Sequence, residues 1–227
     1  ALRQKIGYSS DSLPLIPWLK VGQLLQDNGS FYPDWNPEYV TLWLKRLSLD
    51  SNKRIFSLSR GERQKLAFLM AIGHRPRLLI LDEPAGGLDP VVRQEFLESL
   101  IELVNETGTT IVLSSHQLHE LERIAEYIGL IEDGQMYLET ELESLRARMR
   151  RVIIMGNEIK PESIIDQVAL LDVIRRPGYM ELIYSQWDEH KAHQLSQQFP
   201  HASMDIQALN LEEIFIFLQK GGQACIL

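Results

Sequence analysis

The chain predicts an α/β fold in which a layered strand-and-helix domain is followed by a small α+β appendage. Three observations carry this. Two apolar runs, LLILD at 78–82 and TTIVLSS at 109–115, are too short for buried helices and read as buried strands. Each run is flanked on both sides by segments with helical apolar spacing, the alternation expected of a parallel sheet covered by helices. From about Arg150 the rhythm changes to closely spaced strands and two further helices.

In chain order, KIGY at 5–8 reads as a short strand, and SSDSLPLIPWL after it, with two prolines and several serines, as a loop. VGQLLQDNG at 21–29 is a short helix closed by Gly29. FYPDWNP is an aromatic turn, and Asn36-Pro37 starts a helix in which Val40, Leu42, Trp43, Leu44 and Leu47 form an apolar stripe. A helix follows Ser57-Leu58-Ser59 and carries Leu66, Leu69, Met70 and Gly73 at helical spacing; this helical portion spans about 12–73. After the strand at 78–82, Pro90 opens a helix that Gly108 ends. The second strand is followed by the helix HQLHELERIAE and by two strands around the Asp133-Gly134 turn. The appendage holds RVIIM, the hairpin LDVIRR-PGY-MELIYS, the helix WDEHKAHQLSQQF, the strand SMDIQAL and the helix LEEIFIFLQK. The expected division is 1–149 and 150–227.

Composition narrows the function classes. With 227 residues, 44% hydrophobic and 24% charged, the chain can bury a real core. Its net charge of -8 argues against nucleic-acid binding, since the one dense basic run is Arg146–Arg151 at the expected domain junction. The single Cys225 and the lack of a basic-then-apolar leader favour a reducing, cytoplasmic setting. No apolar run approaches the roughly 20 residues of a membrane-spanning helix, so any membrane role is borrowed from a partner.

The chemistry concentrates in three places. Asp82 and Glu83 end the first apolar strand, as adjacent carboxylates do when they act on a magnesium-bound phosphate. Leu58-Ser59-Arg60-Gly61-Glu62 places a hydroxyl, a glycine and backbone N–H groups at a helix N-terminus, a ready anion site. His116 closes the second strand.

Taken in order, these segments resemble the ATP-binding subunit of an ABC transporter over about residues 3–142. LSRGE resembles the family's signature, LLILDEP its Walker B strand, AGGLDP its D-loop and IVLSSH its H-loop; the closing LNLEEIF resembles the C-terminal extension of some members. The resemblance implies a P-loop NTPase-like ABC ATPase domain using ATP and Mg2+, with Asp82 holding magnesium through water. It implies that Glu83 polarises the attacking water and that His116 contacts the γ-phosphate. Ser59 and Gly61, with Arg60 and Glu62 in the same turn, would bind the γ-phosphate held by an opposite subunit, and Asp89 would lie across that dimer seam. Asp11 stands nearest the position where the family places a Gln or Glu that couples nucleotide to the membrane subunit. The implied partners are a transmembrane permease and a second ATPase subunit, placing the protein at the cytoplasmic face of a membrane.

Two features depart from the family pattern. Arg60 replaces a small residue and adds positive charge beside the expected phosphate site. The motif G-x-x-x-x-G-K-[ST] is absent, and no Gly-Lys dipeptide occurs in the 227 residues. The domain is therefore expected to be N-terminally incomplete, its Walker B strand short of a neighbour and the chain inactive alone. The alternatives are a non-hydrolytic interaction or regulatory protein of the same descent, and a soluble ATPase of this type acting on DNA or ribosomes. The acidic balance and the lack of a coiled coil weigh against the second.

Overall fold

The computed structural model of the chain describes residues 2–10, 14–156 and 169–221. It divides into two compact units, Ala1–Gln117 and Leu118–Leu227.

The first unit is built on three parallel strands, β1 (Ile6–Ser10), β2 (Leu78–Asp82) and β3 (Thr110–Ser114), in the order β1-β2-β3. Their register sets Ser10 beside Asp82 and Asp82 beside Ser114, so all three strands end together. Helix α3 (Arg60–Ile72) covers one face of this sheet. Gly7 permits that approach, because a Cβ there would run into the Ala71 carbonyl and the Leu79 side chain. Leu66, Phe68, Leu69, Ile72, Leu79 and Leu81 are fully buried in this layer.

Two shorter helices precede α3. Helix α1 (Val21–Gly29) buries Val21, Leu24 and Leu25. Helix α2 (Pro37–Arg46) starts where the Asn36 side chain accepts from the Tyr39 N–H at 2.9 Å, with Pro37 supplying a preset φ. Its Trp43 meets Phe68 edge-on at 5.7 Å, and Phe68 meets Phe96 of α4 (Pro90–Thr107) at 5.3 Å. Asp89 caps the start of α4, and Gly108 ends it at φ +65, the left-handed stop that glycine adopts without a side-chain clash.

Two expectations are corrected here. β2 is the central strand of the three rather than one short of a neighbour. β3 is not buried on both faces: Val112 is 55% and Tyr8 56% exposed, and both lie in register with Ile80 on the face away from α3. Among the described residues no element packs on that face to bury them.

The second unit begins with α5 (Leu118–Ile124) and the hairpin of β4 (Tyr127–Glu132) and β5 (Gln135–Glu141), turned by Asp133 and Gly134, both at positive φ. Helix α6 (Leu142–Arg148), not anticipated from the sequence, occupies part of the basic run. A four-stranded antiparallel sheet follows, β6 (Arg150–Met155), β7 (Leu170–Arg176), β8 (Tyr179–Tyr184) and β9 (Ser203–Ala208), in the order β7-β8-β6-β9. Helix α7 (Glu189–Gln198) contributes Leu195 to a core with Val152, Ile154, Met180, Leu182 and Tyr184. Helix α8 (Leu211–Gly221) contributes Leu211, Ile214, Phe217 and Leu218 to a second core, shared with Ile128, Leu130, Leu138, Leu142 and Leu145.

The packing division therefore falls at Gln117/Leu118, ahead of the 149/150 division expected from motif content, because the β4–β5 hairpin and α6 bury their apolar faces against α8. The basic run is internally engaged: Arg148 donates to Thr140, and Arg151 pairs with Glu181 at 3.2 Å and Glu213 at 2.9 Å. No described helix is long and apolar enough to cross a membrane.

Candidate functional site

The carboxyl ends of parallel strands are where open α/β sheets hold their ligands, because strand-end side chains and following loops converge there. Here β2 delivers Asp82 to that edge and β3 delivers Ser114 directly beside it. The Ser114 hydroxyl donates to Asp82 Oδ1 at 2.7 Å and accepts the Glu83 N–H at 2.9 Å. His116 Nδ1 lies 2.8 Å from Glu83 Oε2. Asp82, Ser114, Glu83 and His116 thus form one hydrogen-bonded chain on an accessible edge.

Glu83 sits at φ +47. A non-glycine residue in the left-handed region costs on the order of 1–3 kcal/mol and persists where surrounding contacts over-determine it, a pattern concentrated at functional sites. The contacts are identifiable: the Ser114 hydroxyl on its N–H, His116 on its carboxylate, and its own carbonyl accepting the Gly86 N–H at 3.1 Å. They turn the carboxylate out of the strand direction, with Oε2 against His116.

The signature segment forms a second group. Ser59 caps α3 in a reciprocal capping box, its hydroxyl accepting the Glu62 N–H at 3.2 Å while Glu62 Oε2 accepts the Ser59 N–H at 2.8 Å. Lys53 Nζ donates to both Glu62 oxygens at 2.8 and 2.9 Å. Lys53 foremost, then the Ser59 N–H, holds the Glu62 carboxyl below the usual range. Glu62 is therefore committed inside its own chain. The Ser59 hydroxyl, an acceptor in the cap, retains its proton as a donor.

Gly61 lies against α4, where a Cβ would come within 2.7 Å of Val92 Cγ1. The Arg60 guanidinium lies against Gly87, and Lys65 of α3 pairs with Glu95 of α4 at 2.7 Å. Asp89 Oδ1 accepts the N–H groups of Val91 and Val92 at 3.2 and 3.1 Å. Of the residues singled out from sequence, Asp82, Glu83 and His116 come together. Ser59, Arg60, Gly61, Glu62 and Asp89 form the neighbouring α3–α4 group, joined to the first through the loop from Glu83 to Asp89. Asp11 lies outside the described residues. Ser114 was not singled out; its signal was a polar residue ending the strand that runs in register with Asp82.

The donor set suits magnesium. Asp82 presents a hard carboxylate oxygen beside the Ser114 hydroxyl, and a cation ligated by one carboxylate completes its shell from water and phosphate oxygens. Among the described residues no group of three or more His, Cys, Asp or Glu side chains forms a metal cage. The donors for the phosphate cradle do not fit in the same way, since no glycine-rich loop with a Gly-Lys pair exists in the chain.

Known proteins similar to this chain form one group. A family model described as "AAA domain, putative AbiEii toxin, Type IV TA system" matches residues 36–122. An uncharacterized ABC transporter ATP-binding protein of Alkalihalophilus pseudofirmus is 36% identical over 156 residues, which is 66% of this chain and 58% of that protein. The ABC transporter ATP-binding protein YtrB of Bacillus subtilis is 26% identical over 95% of this chain and 73% of its own length. The bacitracin transport ATP-binding protein BcrA of Enterococcus faecalis is 44% identical over 48% of this chain and 36% of its own. The chain thus spans little more than half the length of the first of these relatives. Among solved structures, an ATP-binding subunit of an ABC transporter superposes with a TM-score of 0.57 at 25% identity, covering 64% of this chain and 62% of that one. A dimeric ATP-binding cassette bound to ADP and Pi superposes at 0.54 with 26% identity, covering 62% and 65%. These relatives and solved structures make the chain similar in sequence to ABC transporter ATP-binding proteins and give it the fold of their ATPase domain.

Proposed function

We propose that this chain supplies the Walker B, signature and H-loop portion of an ATPase that couples ATP hydrolysis to transport through a separate permease subunit at the cytoplasmic face of a membrane. The observation that carries the reading is the hydrogen-bonded chain Asp82–Ser114–Glu83–His116 at the carboxyl edge of a parallel sheet. In this reading Asp82 holds Mg2+ through its water shell, and the bound metal supplies charge neutralisation on the phosphates. Glu83 accepts the proton of the attacking water, with its orientation held by the left-handed turn, the Ser114 contact and His116. His116, exposed at the strand end, meets the γ-phosphate. Ser59 and Gly61 act across a dimer seam on the phosphate held by a second subunit, with Asp89 at the same seam.

The test is magnesium-dependent ATP hydrolysis by the full-length protein that carries this chain. Glu83→Gln keeps the shape of the side chain and removes the base. It is expected to lower kcat by about 10²- to 10⁴-fold, the range of positioned acid–base groups, while nucleotide still binds. Normal turnover in that variant would remove Glu83 from the mechanism.

One observation favours a second reading for these 227 residues by themselves, a non-hydrolytic interaction or regulatory module. They hold no phosphate cradle, and the exposed Asp82 and half-buried Glu83 would face a polyanion without it. Calorimetric titration of Mg-ATP into the isolated chain separates the two readings: micromolar binding would sink the second.

A further inference from the structure

Arg60 stands where the signature segment was expected to carry a small residue, adding positive charge beside the expected phosphate site. Its guanidinium instead lies against the backbone of Gly87 within the same chain, close enough that a Cβ at Gly87 would collide with it. Gly87 is at φ +66 and belongs to the loop that begins with Glu83 at φ +47 and ends at Asp89, the cap of α4. That loop is also held by two turn hydrogen bonds, Gly86 N–H to the Glu83 carbonyl at 3.1 Å and Leu88 N–H to the Ala85 carbonyl at 3.3 Å, by the Arg93 guanidinium of α4 donating to the Leu88 carbonyl at 3.0 Å, by Ser114 and His116 on Glu83, and by the buried Ala85 and Leu88.

Beside this contact, α3 and α4 close on each other through Gly61 against Val92 and the Lys65–Glu95 ion pair. Arg60 extends this α3 edge to the loop itself, where Arg93 of α4 also holds Leu88. A planar guanidinium laid on a glycine backbone needs a position without Cβ, and Gly87 provides it while also taking the left-handed φ.

We propose that Arg60 is a positioning residue: it clamps the 83–89 loop onto the signature helix, so that the direction of the Glu83 carboxylate is set from α3 as well as from Ser114 and His116. This rests on the reading of Glu83 as the base. The consequence is mechanical coupling: any displacement of the α3 N-terminus is passed through Arg60 and Gly87 to the loop that starts at Glu83. The charge of Arg60 acts on its own chain and not on nucleotide.

The test uses the full-length protein with Arg60→Ala, Arg60→Met, Gly87→Ala and the Arg60→Ala/Gly87→Ala double variant. Two readouts are taken, amide hydrogen exchange across 83–89 and steady-state ATP hydrolysis. The clamp predicts severalfold faster exchange in 83–89 for both Arg60 variants, with kcat falling toward the roughly 10²-fold that a 1 Å misplacement of a reacting group can cost and the KM for ATP unchanged. Gly87→Ala evicts the guanidinium with Arg60 still present, and the double variant falls no further than the worse single one. Unchanged exchange with a raised KM would assign Arg60 to phosphate and overturn the clamp, and so would effects of Arg60→Ala and Gly87→Ala that multiply. A wild-type protein without ATPase activity would defeat the functional reading alone, since the exchange measurement decides the clamp without turnover.

Discussion

Replacing Glu83 by glycine and by alanine separates the backbone of this position from its chemistry. Both substitutions delete the carboxylate and its contact with the exposed His116, so that loss cancels in the comparison. What differs is the left-handed φ of +47. Alanine keeps the Cβ clash, about 1–2 kcal/mol for an L-residue in this region, and glycine relieves it. Glycine in turn has a freer unfolded state, a penalty of about 0.5–1 kcal/mol. The net places the glycine variant about 0.5–1 kcal/mol above the alanine variant, the reverse of the ordinary order. With a urea slope near the upper value of about 3 kcal/mol/M, the midpoints separate by about 0.2–0.3 M. Tryptophan fluorescence reports the right unit, since Trp18, Trp35 and Trp43 of the four tryptophans lie in it. Both variants should fall equally in hydrolysis. An alanine variant as stable as the glycine one would show that the turn at Glu83 is not strained, and with it would go the argument that contacts hold the base in an unfavourable backbone to aim it.

Three further outcomes are expected. Gly61→Ala should range from neutral to destabilising by about 2 kcal/mol, because a gain in helix propensity of about 1 kcal/mol opposes overpacking of about 1–3 kcal/mol against Val92 Cγ1. Adding Val92→Ala should change it to stabilising, and a Gly61→Ala effect that Val92→Ala leaves untouched would free Gly61 from this packing role. His74, buried against Tyr32 with ring centroids 4.1 Å apart, has its pKa lowered by burial, partly offset by the Ile6 backbone and Asp34. The unfolded chain then takes the proton first, so stability is full above about pH 6.5 and declines below it. His74→Phe should flatten that decline in denaturation midpoints between pH 5 and 7.5, and an unchanged slope would count against it. A chain cut after Met149 should aggregate in gel filtration where one cut after Gln117 does not. The cut removes Ile183, Leu211, Ile214 and Phe217 from Ile128, Leu130 and Leu138, each worth about 1.5–3 kcal/mol when buried; a monodisperse 1–149 chain would restore the division expected from motif content.

The order of elements was legible in the sequence wherever a local signal opened or closed them. Asn36-Pro37, Ser59, Asp89-Pro90 and Gly108 each place a helix boundary through a cap or a fixed φ, and the structure puts the boundaries there. Helix α6 had no such signal. Its N-cap is Glu141, without a side-chain cap hydrogen bond, and its arginines read as a charge run while Leu142 and Leu145 bury beneath them. The exposed face of β3 was equally hidden, because TIVLS has the composition of a buried strand whether or not anything covers it. Composition states what a strand would bury; only the neighbours decide what it does bury.

For the site, the legible part was the part spaced along the chain. Asp82, Glu83 and His116 stand at strand ends that apolar runs mark, so their convergence follows once the two strands are set parallel and in register. Ser114 required the register itself, Leu78 against Thr110 and Asp82 against Ser114, which no local pattern encodes. Arg60 and Gly87 lie on different elements and share only a contact, so a reading along the chain saw a charge near a phosphate site where the fold sets a guanidinium on a left-handed glycine. The same holds for Glu62, an acidic residue that, if unpaired, would repel phosphate from the turn proposed to meet it. Lys53, nine residues upstream, takes both of its oxygens. The α3 N-terminus thus spends the Ser59 and Glu62 N–H groups in its own capping box while Lys53 neutralises the adjacent Glu62 charge, which removes the repulsion that a phosphate offered by a second subunit would otherwise meet in the proposed reading.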